Sequence, residues 1–414
     1  LNEEFLHAKL DERKEKNAFR SLRLPDGRKD FCSNDYLGIA KMGLIEKALA
    51  TLNPAALQDP ADTALCAGRD SNSHTHGGGR PGLDSNQRAA HGSTGSRLLA
   101  GNYPLIEDAE RSIAAFHQAG AGLIFNSGYD ANLGLLSCVP GRGDTVLYDQ
   151  LSHASIRDGI RLSFAGAHAF LHNDLHDLEK KLQVAWSLPG AGAAATGNIF
   201  VVTESVFSMD GDTAPLSGMA ELCEGYGAHL IVDEAHATGV VGNKGEGLVQ
   251  WLGLQGRCFA RIHTFGKAVG CHGAIVLGSI ALRDYLINFS RAFIYTTALP
   301  ETSVLAIRTA YEIFPGMEKE REQLRHLISQ FRQAPLRYTR LESQTPIQVV
   351  IVPGNTEVKD LAQKLQSAGL DVRPILYPTV PRGGERLRIV LHAFNTREET
   401  DTLIALLRQG TGSS

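Results

Sequence analysis

Two rhythms alternate along the chain. Short apolar runs recur at Ala121–Phe125, Asp144–Tyr148, Asn198–Glu204, Leu230–Val232 and Phe259–Thr264. They read as buried strands bounded by turns. Between them apolar residues return three and four positions apart, as at Leu105, Ile106, Ala109, Ile113 and Phe116, and again from Met219 to Tyr226. Strands alternating with helices through residues 121–280 predict an α/β fold, a mostly parallel sheet with helices on both faces. After Leu299-Pro300 the rhythm changes to a long helical span from Ser303 to Gln333. Short strands follow (Ile347 to Val352; Arg386 to Leu391), with helices at Val358 to Ala368 and Glu398 to Arg408. That pattern predicts a smaller α+β unit. With 414 residues, the chain exceeds the ~250–300 at which one core stops growing. The expected division is an N-terminal helix and arm over 1–36, a large domain over 37–300 and a small domain over 301–414.

Three stretches stand apart. Residues 1–19 scatter Leu1, Phe5, Leu6 and Leu10 among charges and predict an amphipathic helix laid on another surface. From about 53 to 90 the periodicity vanishes; the polar run Asp70 to Gln87 reads as a flexible insertion inside a folded domain. Ser187 to Gly197, rich in glycine and alanine, reads as a shorter one.

Composition narrows the classes. Hydrophobic residues make up 43% and charged residues 21%, ordinary for a globular enzyme. A net charge of −4 gives no reason to expect nucleic acid, and no Lys/Arg block suggests a membrane surface. No apolar run approaches the ~18–20 residues of a membrane-spanning helix. The six cysteines (32, 66, 138, 223, 258 and 271) are scattered singly, which predicts free thiols in a reducing compartment, the cytoplasm. Cys66, His74 and His76 fall in the polar insertion, and no metal site is expected there.

The chemistry concentrates at strand ends. Leu230-Ile-Val232 stops at Asp233, with His236 three residues on; Phe259–Thr264 leads to Lys267. Each signal alone is also what a helix cap or a turn produces. Together, 34 residues apart (267 minus 233), they form the pairing that pyridoxal phosphate (PLP) chemistry needs. A lysine holds the cofactor as a Schiff base, and an acid keeps the pyridine nitrogen protonated. Asn126-Ser-Gly-Tyr129 opens a helix whose free N–H groups suit a phosphate, though Ser-Gly there is also an ordinary cap. His153, in a loop after a strand, could lie over a flat ring, and Asn34 lies in a strand-to-loop element able to face substrate. A nicotinamide-binding reading fails, because the one Gly-x-Gly-x-x-Gly match, Gly77 to Gly82, lies inside the insertion and follows no strand.

Taken in order, these segments resemble the α-oxoamine synthases. The matching stretches are Asn34–Gly38, Gly92–Leu99, Asn126–Tyr129, Leu151–Ser155, Val206–Asp212, Val232–Gly239, Thr264–Lys267, and Pro378–Pro381 with Arg386-Leu-Arg388. The resemblance implies PLP-dependent fold type I, as in aspartate aminotransferase, and condensation of an amino acid with an acyl-CoA while carbon dioxide leaves. Gly92–Leu99 is most like members that join alanine to a pimeloyl thioester, on CoA or a carrier protein; glycine- or serine-using members are the alternative. About 30 extra residues between Gly38 and Gly92 depart from the family and bear most on acyl choice. By resemblance, Lys267 binds the cofactor and takes the Cα proton, and Asp233 faces the ring nitrogen. His236 and Ser208 lie at the ring hydroxyl, and His153 stacks on the ring. Gly128, Tyr129 and Thr264 bind the phosphate, joined by Thr296 or Thr297 from the second subunit of a homodimer. Arg388 and Asn34 hold the amino-acid carboxylate; Arg20 or Arg23 meets the far end of the acyl chain. A catalytically inactive binding protein on this fold would be expected to have lost Lys267 or Asp233, and both are present.

Overall fold

The computed structural model describes residues 3–22, 24–52, 90–187 and 197–409. The expected 53–90 insertion with Cys66, His74 and His76, all but the ends of the 187–197 insertion, and Arg23 lie outside them.

Twelve strands are found among the described residues: β1 (Lys29–Asp30), β2 (Ala121–Phe125), β3 (Thr145–Asp149), β4 (Gly166–Phe170), β5 (Ile199–Glu204), β6 (His229–Asp233), β7 (Ala260–Thr264), β8 (Ala274–Gly278), β9 (Ile347–Ile351), β10 (Leu370–Asp371), β11 (Arg373–Ile375) and β12 (Arg386–Val390). Seven of them form one sheet in the order β2-β8-β7-β6-β5-β3-β4. All run parallel except β8, which lies antiparallel to both β2 and β7. Interior strands such as β5 and β6 are buried on both faces, which is why their centres read as apolar runs.

The pleat sends alternate residues of each strand to opposite layers. On one face Phe200, Val202 and Ile231 pack against α4 (Gly128–Leu136), α5 (Ala154–Leu162) and α9 (Ile280–Phe289) through Leu135, Ile160 and Leu286. On the other, Val201, Leu230 and Val232 meet α6 (Leu175–Ser187) and α7 (Leu216–Gly225) through Leu182 and Met219. A third cluster joins α3 (Pro104–Phe116) and α11 (Glu301–Ile313) to the C-terminal sheet β11-β12-β9, and to Ile124, Ile275 and Leu277 of the large sheet. The fold is thus the mostly parallel α/β architecture that the hydrophobic pattern predicts.

Two expectations need correction. The helical span from Ser303 to Gln333 is two helices, α11 and α12 (Glu318–Gln333), parted by a 3₁₀ turn at Phe314–Gly316. Pro315 and Gly316 break the ladder there, since proline removes a donor and glycine gains nothing from helix. Near the start, α1 (Glu4–Glu15) forms, but it is not buried against the other described residues. None of its residues is buried, and Phe5, Leu6 and Leu10 are exposed. Among the described residues no helix is long and apolar enough to cross a membrane. The five described cysteines are all free thiols.

The segment after α1 is stitched to the C-terminal region. β1 pairs in parallel with β10, Val390 N–H donates to Phe31 C=O at 2.8 Å, and Ala393 N–H donates to Tyr36 C=O at 2.8 Å. This brings Asn34 and Tyr36 beside β12.

Candidate active site at the carboxyl ends of the strands

Sheet register sets the first part of the site. Glu204 at the end of β5 stands opposite Asp233 at the end of β6, and Asp233 stands opposite Ile262 of β7, two residues before Thr264. Polar residues placed just past an apolar core project into the crevice that parallel sheets leave at their carboxyl ends. The Asp233 carboxylate accepts from Ala235 N–H at 2.9 Å and from the Asn132 amide at 2.7 Å. Glu204 accepts from His153 N–H at 2.7 Å. Burial, followed by the neighbouring Asp233 charge, pushes the Glu204 carboxyl well above its usual range.

Lys267 lies in the turn after β7, with Nζ 2.8 Å from His236 Nε2. Burial pulls its pKa down to about 8; Asp233 and Glu204 oppose the drop, and Arg388 adds to it. His236 is buried, and desolvation with the Lys267 charge beside it holds its pKa well below the ordinary value. A neutral imidazole that accepts at Nε2 carries its proton on Nδ1, which faces the Tyr36 hydroxyl at 2.6 Å. Tyr36 in turn donates to Asn34 Oδ1 at 3.1 Å, and Arg388 Nη2 donates to the same oxygen at 3.0 Å. Arg388 Nε is fixed by the Ser208 carbonyl at 2.7 Å. One hydrogen-bonded chain therefore runs from the lysine to the arginine.

An anion cradle lies beside this chain. Ser127 caps α4 by accepting from Asp130 N–H at 3.0 Å, leaving the first turn's other N–H groups at the helix start. A Cβ on Gly128 would sit 3.4 Å from Thr264 Oγ1, tighter than most such contacts, so glycine keeps the space between them open. Thr296 Oγ1 and Thr297 C=O both accept from the Asn126 amide at 2.9 Å, which leaves the Thr296 proton available to another acceptor. The Tyr129 hydroxyl points away from the cradle and donates to Asp158 at 2.7 Å.

Most of the residues singled out by sequence meet here: Lys267, His236, Ser208, Asn34 and Arg388 in one hydrogen-bonded chain, Asp233 and His153 in a second that faces Lys267 by charge, with Gly128 and Thr264 beside them. Ser208 enters the first through its carbonyl. Arg20 is outside both; exposed, it donates to Thr379 Oγ1 at 2.9 Å. Sequence reasoning passed over Tyr36, Glu204, Asn132 and Ser155. Glu204 carries the signal that marked Asp233, an acid ending an apolar strand. Asn132 and Ser155 carry none, because only the packing of α4 on α5 brings them together. Chemically, the arrangement fits an aldehyde-bearing aromatic ring with an anionic tail. The amine of Lys267 would meet the aldehyde, the Asp233 carboxylate a ring nitrogen, and the start of α4 the anion.

The aminotransferase class I and II family profile matches residues 70–407. The 8-amino-7-oxononanoate synthase of Emericella nidulans is 45% identical over 327 residues, covering 75% of this chain and 79% of that protein. The enzyme of the same name from Marinobacter nauticus is 36% identical over 413 residues, covering 96% and 94%. Among solved structures, a serine palmitoyltransferase from S. paucimobilis with bound PLP–myriocin aldimine superposes with a TM-score of 0.78. It is 25% identical, over 98% of this chain and 96% of that one.

Proposed function

We propose, on the premise that this chain belongs to the aminotransferase class I and II family and within it to the α-oxoamine synthases, that it joins L-alanine to a pimeloyl thioester. Carbon dioxide is lost and the product is 8-amino-7-oxononanoate, an intermediate of biotin biosynthesis. The chain is a PLP-dependent acyltransferase of fold type I. The observation that carries the substrate reading is the chain from Lys267 through His236, Tyr36 and Asn34 to Arg388. It joins a proton-taking amine to a guanidinium able to clamp a carboxylate, the two groups that an α-amino acid substrate needs.

When bound, PLP supplies an electron sink for the bond broken at Cα. The rest falls to the chain's own residues. Lys267 is the residue that would hold the cofactor and, as a free amine, would take the Cα proton; burial pulls its pKa down to about 8, which suits that task near neutral pH. Asp233 keeps a positive charge on the ring nitrogen. His236 and Ser208 would serve the ring hydroxyl, and His153 would stack on the ring. Gly128 and Tyr129 offer backbone N–H groups to the phosphate, with the Thr264 hydroxyl beside them. Arg388 meets the substrate carboxylate with its planar fork, with Asn34 beside it. Arg20, beside Thr379, receives the far carboxylate of the pimeloyl chain.

The same reading takes the active unit as a homodimer, with Thr296 or Thr297 reaching the partner's phosphate. Exposed Leu98, Leu99, Tyr129, Leu151, Phe289 and Tyr295 support it, because they leave apolar surface for a second copy to cover. The division into arm (1–36), large domain (37–300) and small domain (301–414) is part of this reading. A cytoplasmic location is supported by the free thiols. The test is to incubate protein with PLP, pimeloyl-CoA or its carrier-protein thioester, and alanine, glycine or serine in turn. Mass spectrometry should find 8-amino-7-oxononanoate with alanine. Turnover with serine or glycine alone would make the chain a different α-oxoamine synthase. No condensation with any of them would leave a binding protein.

A further inference from the structure

Asn132, on α4 behind Asp233, is buried to 2% exposure. Its amide nitrogen lies 2.7 Å from Asp233 Oδ2 and 3.1 Å from Ser155 Oγ. Ser155 Oγ is in turn 2.7 Å from His153 Nδ1, and Ser155 N–H also points at that nitrogen, at 3.2 Å. The approach depends on Gly159 of α5. A Cβ there would come within 2.9 Å of both Asn132 C=O and Leu136 Cβ, so only glycine lets the two helices close this far.

The direction of every bond follows from the first. A carboxylate offers acceptors only, so Asn132 must turn its NH₂ group to Asp233. The second N–H of that group then goes to Ser155, whose oxygen accepts. The Ser155 proton is left for His153 Nδ1, which receives the backbone N–H as well. A nitrogen with two donors aimed at it carries no proton of its own, so the imidazole proton sits on Nε2. We infer that Asn132 is a positioning residue that carries the polarity of Asp233 through Ser155 and fixes His153 as the neutral Nε2–H tautomer. His153 is among the exposed residues of the site, yet desolvation of its enclosed side, the largest influence, lowers its pKa, which agrees with a neutral ring. The inference rests on the proposed reading in which Asp233 and His153 meet the same cofactor ring. It adds that one amide joins the two, so that the group at the ring nitrogen also orients the group on the ring face.

The test reads the tautomer directly. Holoenzyme labelled with ¹⁵N-histidine is examined by long-range ¹H–¹⁵N correlation, with His153→Gln identifying the signals. The wild type should show Nδ1 unprotonated and Nε2 protonated at neutral pH. Asn132→Asp keeps the shape but reverses the chain. At 2.7 Å the new carboxyl shares one proton with Asp233; its oxygen then accepts the Ser155 proton, Ser155 accepts from His153, and the imidazole proton moves to Nδ1. Asn132→Leu removes both donors and should yield a mixture of tautomers. In both variants kcat should fall by about tenfold, with the KM for the amino acid within about twofold, a loss in the transition state rather than in binding. Protonated Nδ1 in the wild type would overturn the inference. So would an unchanged His153 spectrum in both variants, since the Ser155 N–H alone would then fix the ring. Because the spectra do not depend on which thioester is used, failure of the substrate reading in the product assay remains distinct from failure here.

Discussion

Asp233, Glu204 and Thr264 occupy neighbouring strand ends, set by sheet register, and Lys267 follows a tight turn from one of them. Asn34 and Arg388, across the site, are 354 positions apart and meet only because the arm is stitched to β12. The first wall is made by local sequence on one rigid sheet. The second is assembled from both ends of the chain. Between them runs the loop after β5. Ser208 in it holds Arg388, Asp210 pairs with Arg386, and Gly211 C=O accepts from Ser343 at 2.7 Å and Thr345 at 2.8 Å. The same loop is tied back to the large sheet by His172, which bridges Asp149 of β3 (3.0 Å) and Asp212 (2.7 Å). On the proposed reading the contrast is a division of labour, with the sheet wall for the chemistry and the assembled wall for substrate capture, and His172 ties the loop between them to β3.

The largest expected effect breaks the sheet wall outright. Lys267→Ala should lower kcat by about 10⁴-fold, the upper range for loss of an acid–base group, and remove the visible absorption of lysine-bound cofactor while circular dichroism stays unchanged. Asp233→Asn, which keeps shape and removes charge, should retain PLP but slow Cα-proton exchange, followed by NMR in D₂O, by about 10²–10³-fold. On the other wall, Arg388→Ala should raise the KM for the amino acid by about 100-fold, the size of one charge-assisted pair, with a much smaller change in kcat. A kcat collapse there with KM intact would erase the contrast.

The joint is tested by stability. Both aspartates and burial act on His172; the carboxylates win, and its pKa rises to about 10. A folded pKa above the unfolded value of about 6.5 means stability that is fully present below pH 6.5 and is lost as pH climbs through about 10. His172→Asn should therefore cost on the order of 2 kcal/mol at pH 6, between surface and fully buried pairs, and progressively less by pH 10 in urea titrations. The smallest effect concerns Lys267 before it has reacted. Recombination of PLP with cofactor-free protein needs the neutral amine, so its rate should rise with a midpoint near pH 8. Glu204, pushed up to about 8, titrates over the same range; Glu204→Gln removes the partial charge that helps hold the amine protonated, and stopped-flow should find the midpoint at lower pH.

This contrast also explains what could be read from the chain alone. The strands β5 and β6 were legible because burial on both faces gives them an apolar centre, with the acids Glu204 and Asp233 at the carboxyl end where the chemistry sits. β7 reads less cleanly, because Arg261 and His263 are buried within it. β4 was not, because four of its five residues are exposed at the sheet edge and Gly166-Ala-His-Ala-Phe170 has no apolar run. The α11–α12 break was missed because apolar spacing continues through Phe314 while Pro315 ends the helix. α1 carries apolar residues that no described part of the chain covers, so periodicity alone misled. Within the site, Lys267 and Asp233 announce themselves. Asn132, by contrast, is an unremarkable helical asparagine until Gly159 brings α5 against it.

The stitching of residues 29–36 to β10 and β12 has a consequence for how the molecule is made. At the usual pace of translation, roughly 5–20 residues per second, about 20–70 s pass between synthesis of Asn34 and of Arg388. During that interval the segment that buries Phe31, Tyr36 and Leu37 completely in the finished protein has no β12 to complete its backbone bonds. The strand-end wall, drawn from residues 204–267, can already be in place on a growing chain. The substrate clamp is therefore the last part of the site to be born. A nascent chain can be ready for its cofactor before it can grip an amino acid.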